Sequence, residues 1–163
     1  MTTIRRAFAA TLLLVAAAGC SQQGDEAAGN AQAQALLPVT ITTAGGRHVF
    51  TVERATTAAE QAQGLMFRTD LTPDGGMLFH PYPAEGGAPR EASFWMKNTP
   101  TPLDILFIRA DGTIARIADS TTPMSETPVT SGEPVTAVLE LIAGRAAALG
   151  IAEGDTVSWP GRN

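Results

Sequence analysis

Two carboxylates in this chain lie where carboxylates are costly. Asp104 interrupts Leu103-Asp104-Ile105-Leu106-Phe107-Ile108, and Glu140 interrupts Val138-Leu139-Glu140-Leu141-Ile142. Side chains of an extended strand alternate between two faces. Leu103, Ile105 and Phe107 therefore share one face, and Asp104 shares the other with Leu106 and Ile108. Both faces are apolar, so burial on both sides is expected, and a buried carboxylate is costly unless it is paired. Two cations are available on otherwise apolar segments: Arg68 after Met66-Phe67, and Lys97 after Phe94-Trp95-Met96. The expectation is that Arg68, Lys97, Asp104 and Glu140 converge into one polar cluster, with Asn98 and Thr99 at its mouth and Trp95 on its rim. These seven residues form the candidate ligand-binding set. The competing reading is a set of structural ion pairs that lock the sheet register and bind nothing.

Other chemistries find less to stand on. Met66, Phe67, Met77, Phe79, Phe94, Trp95 and Met96 could line an apolar cleft for a small organic ligand or a peptide. The thioethers of Met66, Met77 and Met96, with His80, could hold Cu(I). No spacing here matches a ligand motif, however, and core packing accounts better for most of the set. His48 and His80 are the only histidines and belong to no visible triad or zinc motif. Gly75-Gly76 and Gly86-Gly87 lack the strand-loop-helix frame of a phosphate loop. Asp104 and Glu140 could act together as a hydrolase pair, but nothing in the sequence sets their separation. No cofactor is implied, and a non-catalytic role is favoured.

The elements that must position these residues are short and punctuated by Gly and Pro. Alternation over Pro38–Thr42 and His48–Val52, around Ala44-Gly45-Gly46, reads as a hairpin. Leu103–Ile108 and Ile114–Ile117 flank Asp111-Gly112, the strongest hairpin signal in the chain. Further strands are expected at Met77–His80, Ala92–Met96, Val135–Leu141 and Thr156–Trp159. A capping box, Thr57-Ala58-Ala59-Glu60, starts a helix over Ala58–Gln63, and a second is expected over Gly144–Leu149. The sum is a mainly β fold, a small sandwich or barrel of about eight strands with two short helices.

The N-terminal part reads as an address. A basic head with Arg5-Arg6 precedes an apolar run from Ala7 to Ala18, too short to span a bilayer as a helix. The run ends at Ala17-Ala18-Gly19-Cys20, which resembles the bacterial lipobox. Residues 1–19 are thus read as a signal peptide, and Cys20 as the acylated residue that attaches the protein to the bilayer. Export by the general or the twin-arginine route is left open, as are the choice of membrane and the oligomeric state. Cys20 is the only cysteine, so no intramolecular disulfide can form and no second thiol is left for catalysis. Residues 20–37, rich in Ala, Gln and Gly, form a flexible tether, and residues 38–163 form one globular domain. The chain of 163 residues carries a formal charge of −5. Removing Arg5 and Arg6 with the signal leaves nine basic residues against sixteen acidic ones. Such a surface repels phosphate backbones, which argues against nucleic acid as a partner.

A resemblance runs through the domain. Gly64-Leu65-Met66-Phe67-Arg68, Gly76-Met77-Leu78-Phe79, Phe94-Trp95-Met96-Lys97-Asn98-Thr99, Pro102–Phe107 and Val138–Leu141 occur in a set order. From about Val39 to Ser158 the chain resembles the domain of unknown function family 192. The resemblance implies a small β-rich fold in secreted or membrane-tethered proteins, and no reaction, substrate or cofactor. Three roles follow as expectations, in this order: a binding module for a small molecule, glycan or peptide; a hydrolase; a protein-interaction or assembly factor.

Overall fold

The computed structural model describes residues 36–162. The expected signal peptide, Cys20 and nearly all of the tether lie outside them. Strands β1 (Leu37–Thr43) and β2 (Gly46–Ala55) form the expected hairpin, Thr43 pairing with Gly46 across a two-residue loop. Helix α1 (Ala58–Gln63) follows. The Thr57 side chain accepts from the Glu60 backbone N–H, and the Glu60 carboxylate takes the N–H groups of Thr56 and Thr57. These bonds, the backbone one from Thr57 first, pull the Glu60 carboxyl down to about 2.

Strand β3 (Met77–Phe79) then runs parallel to β2. The close approach that begins it requires glycine: at Gly76 (φ 153°) a Cβ would lie 2.2 Å from the Glu140 carbonyl oxygen. Strands β4 (Arg90–Phe94), β5 (Leu103–Ile108), β6 (Ile114–Ala118), β7 (Val129–Val135) and β8 (Ala137–Ile142) follow, then helix α2 (Arg145–Ala148) and β9 (Thr156–Ser158). The Asp111-Gly112 signal does mark the turn of the antiparallel β5–β6 pair.

Seven strands form one sheet in the order β6-β5-β8-β3-β2-β1-β9. Its two edges meet: the Ile114 N–H donates to the Asp155 carbonyl and the Val157 N–H to the Gly112 carbonyl, each at 2.8 Å. The sheet is thereby nearly closed into a barrel, and closure removes the unpaired edges that an open sheet would present. Its interior is packed with Val39, Ile41, Phe50, Val52, Leu78, Leu106, Leu139 and Val157. A second core lies on the outer face of β3, β5 and β8. There Phe79, Leu103, Ile105, Phe107 and Val138 meet Leu65, Ala92, Met96 and Val135 from the segments that cover them. Strands β4 and β7 pair with each other as a separate two-stranded sheet.

Among the described residues nine strands replace the expected eight, because a further strand, Val129–Val135, takes Val135 from the run expected at Val135–Leu141. It breaks at Thr136, whose N–H donates to the Ile108 carbonyl at 2.9 Å, so β8 enters the barrel while β7 leaves for the outer layer. Gly132 and Pro134 obscure β7 in the sequence. Proline is tolerated there because β7 pairs on one side only.

Candidate functional site

The two carboxylates that open the sequence reading are separated by the sheet itself. In the β5–β8 register Asp104 pairs with Leu141 and Ile105 with Glu140. Neighbours across a sheet share a face, so Asp104 points with Leu141 to the barrel interior and Glu140 with Ile105 to the outer core. The expected convergence of Arg68, Lys97, Asp104 and Glu140 is therefore corrected, and with it the geometry a two-carboxylate hydrolase would need.

Asp104 is fully buried and fully engaged. Its Oδ1 accepts the N–H groups of Ser120 (2.9 Å) and Gly144 (3.0 Å), and its Oδ2 accepts that of Ala146 (2.9 Å). Three backbone donors satisfy its oxygens, and they fasten the segment leading into α2 and the turn at Ser120 to β5.

Glu140 has the opposite surroundings. It is 4 % exposed, no donor or cation among the described residues bonds its carboxyl, and burial alone pushes its pKa up to about 8. At neutral pH it is mostly a neutral carboxylic acid. It forms the floor of a cleft lined by Leu65, Met66, Phe79, Phe94, Trp95 and Thr99, with the end of α1 (Gln61–Gln63) as one wall. The free space above it is about 30 Å³, room for one or two water molecules or the polar tip of a ligand. Phe79 and Phe94 meet edge to face, their centroids 5.0 Å apart, and fix the apolar wall.

The expected site residues divide around this cleft. Trp95, Thr99 and Glu140 line it. Arg68 does not reach Glu140; its guanidinium bonds Asp70 (2.6 Å) and Glu53 (2.9 Å), which hold it charged. Lys97 lies 3.5 Å from Glu126 and 5.1 Å from the centre of the Trp95 ring, so it buttresses the rim from outside. Asn98 accepts the Phe67 N–H through its carbonyl at 2.7 Å and joins the two rim loops. The thioether-imidazole set does not assemble into one centre. Met77 and Met96 are buried in the outer core, Met66 lines the cleft, and His80 stacks on Trp159, which belongs to the barrel interior. Sequence reasoning missed the α1 wall, Leu65 and the anionic partners Glu53, Asp70 and Glu126. The parallel β2–β3 crossover that brings α1 there leaves no periodic signal.

The rim is held under backbone strain. Phe67, Asn98 and Met124 all have positive φ (64°, 54° and 60°), and all belong to segments joined to one another by backbone bonds. Phe67 donates to Asn98, Met124 to the Thr99 carbonyl (3.1 Å) and Met96 to the Ser125 carbonyl (2.9 Å). Each left-handed residue costs on the order of 1–3 kcal/mol and persists only where its surroundings impose it. Phe67 (71 % exposed), Met124 (58 %) and Trp95 (47 %) present large apolar side chains to solvent from these same segments.

Fold and site together define a small, nearly closed β barrel with an added outer layer that covers part of one wall and frames an acid-floored apolar cleft. The chain belongs to the family DUF192, described as an uncharacterised ACR, whose model matches residues 39–159. Two solved structures are similar. One, a protein of unknown function from Novosphingobium aromaticivorans, is 49 % identical, with 76 % of this chain and 85 % of that one covered at a TM-score of 0.71. The other, from Sinorhizobium meliloti, is suggested by its name to be a transcription regulator. It is 44 % identical, with 77 % of this chain and 95 % of that one covered, also at a TM-score of 0.71. Among curated proteins none matches the chain.

Proposed function

We propose that the domain is a non-catalytic binding module, tethered in the cell envelope through Cys20, whose cleft takes a ligand with a hydrogen-bond acceptor on an apolar body. A small molecule, a glycan or a peptide could supply that group. The observation that carries this reading is Glu140: a neutral acid, unpartnered among the described residues, in the lining of a cleft walled by aromatic and thioether side chains. A protonated carboxyl is a strong donor, and a donor left unbonded at the floor of an apolar cleft recovers its desolvation cost when a ligand bonds it. Trp95, half exposed and backed by Lys97, supplies a flat surface for the ligand's apolar part. The regulator role suggested for the Sinorhizobium protein fits this chain poorly, because a net charge of −5 repels a nucleic-acid backbone.

Thermal-shift screening of the full chain against small acceptor-bearing metabolites, oligosaccharides and peptides tests the reading, because binding to the folded state raises its apparent stability. A ligand should stabilise the protein at pH 6.5 and lose its effect above pH 8, and Glu140→Leu should abolish the effect. Equal stabilisation of wild type and Glu140→Leu, or no stabilisation across the panel, contradicts it.

One observation favours a second reading. Phe67, Trp95 and Met124 are exposed from segments that are bonded together, as an anchor for a partner protein would be. Replacing both Phe67 and Met124 by Ser would then abolish capture of a defined partner, whereas a ligand seated on Glu140 would still bind that variant and be lost in Glu140→Leu.

A further inference from the structure

A second polar cavity opens at one mouth of the barrel, away from the Glu140 cleft. The end of β3 brings His80 there and the end of β9 brings Trp159, while Arg54 of β2 lies outside the lining, close enough for its charge to act on His80; all three are in step with interior residues of their strands (Leu78, Val157 and Val52). The cavity measures about 240 Å³ and is lined by His80, Tyr82, Thr136, Trp159 and Arg162, with Gly86 and Gly87 leaving its outer side open.

Among the described residues, two polar atoms of its lining and one beyond it lack partners. The indole Nε1 of Trp159, on a side chain only 7 % exposed, is buried and unbonded. So are His80 Nδ1 and, behind it, Arg54 Nε. Buried donors are ordinarily satisfied, and three orphans in one place need an explanation. The charge around them has one sign. Neither Arg54 nor Arg162 makes an ion pair among the described residues. Burial first, then the charges of Arg54 and Arg162, lowers the His80 pKa and keeps the imidazole neutral. The charge of Arg162 also acts on Asp111, which is already engaged by the N–H and hydroxyl of Thr113.

Arg162 is positioned rather than loose. Its guanidinium lies 5.5 Å from the centre of the Trp159 ring, donates to the carbonyls of Val157 (3.1 Å) and Ala110 (3.3 Å), and crosses Gly112 where a Cβ would come within 2.2 Å of it. Two of its five N–H donors are thus used to fix its plane, and the others remain for a ligand.

We propose that this mouth is a second ligand site that takes a small oxyanion, a carboxylate or a phosphate. Arg162 bonds the anion, the Trp159 indole N–H orients it, neutral His80 donates its ring N–H beside it, and Arg54 adds charge from behind. The site is independent of the Glu140 cleft. It also gives an acidic protein one place where an anion is attracted rather than repelled.

The chain has two tryptophans, so the second indole is an internal control. Full-length protein, with its indole N–H resonances recorded, is titrated with inorganic phosphate in one arm and succinate in the other. The proposal expects a saturable shift of the Trp159 resonance in at least one arm, the Trp95 resonance staying still, and the responding arm identifies the anion. Calorimetry with that anion should show affinity at least tenfold weaker in Arg162→Gln and several-fold weaker in Trp159→Phe, which keeps an aromatic ring and removes the N–H. An unshifted Trp95 resonance in Arg162→Gln shows that the variant is folded. No saturable shift with either anion overturns the proposal, as does equal affinity in wild type and both variants.

Discussion

Asp104 and Glu140 sit one register step apart on neighbouring strands and have opposite chemistries. The step puts one inside the barrel and the other outside it. Asp104 faces three backbone N–H groups and is part of what holds the structure. Glu140 faces aromatic rings and thioether, with no partner, and is held at a cost. A carboxylate that stabilises the fold reports on architecture. One that the fold tolerates without compensation reports on use, because natural proteins concentrate such costs at functional sites.

The comparison breaks most visibly if Asp104 proves dispensable. Asp104→Ala strands three N–H groups and should destabilise the domain by about 3 kcal/mol or more, measured by chemical denaturation. Glu140→Leu should do the reverse. Replacing a lone buried carboxyl by an apolar side chain should raise stability at pH 6 by on the order of 1–3 kcal/mol while abolishing ligand response. A loss of stability there would mean that Glu140 has a structural partner after all. The rim gives the smallest effect. Phe67 buries little and holds φ 64°, so Phe67→Gly should gain about 1 kcal/mol in denaturation midpoint analysis.

Much of the fold is legible in local chemistry. Asp111-Gly112 announces the β5–β6 turn, Thr57-Ala58-Ala59-Glu60 announces α1, and alternation announces the first hairpin. The burial of Asp104 and Glu140 is legible too, since no face of Leu103–Ile108 or Val138–Ile142 is polar. Their separation is not. Alternation says which residues of one strand share a face, but only cross-strand register says which residues of two strands do, and a slip of one residue would have put both carboxyls on the same side. Arg68 and Lys97 were assigned the wrong partners for a related reason. Their anions, Glu53, Asp70 and Glu126, look like ordinary surface residues in the sequence and become neighbours only through loop geometry. The His80, Trp159 and Arg162 cavity left no sequence signal at all, because His80 follows β3 and Trp159 follows β9, strands that are not neighbours in the sheet and whose ends meet only across the mouth of the barrel.

The charge state of Glu140 is the point on which the proposed function turns, and the pH dependence of stability reads it directly. A carboxyl raised from 4.5 unfolded to about 8 folded holds its proton in the native state while the unfolded chain has lost it. Its contribution to stability is therefore complete below pH 4.5 and is lost as pH rises toward 8. Across that window it should lower unfolding free energy by about 1.4 kcal/mol per pH unit. Glu140→Gln cannot titrate, so the difference in unfolding free energy between wild type and this variant, measured by denaturation from pH 4 to 9, isolates the residue. A difference that slopes downward between 4.5 and 8 and levels off above is the predicted result. A difference that stays flat across the range would show that the Glu140 carboxyl titrates as it does in the unfolded chain and is ionised at neutral pH, and would remove the neutral donor from the floor of the cleft.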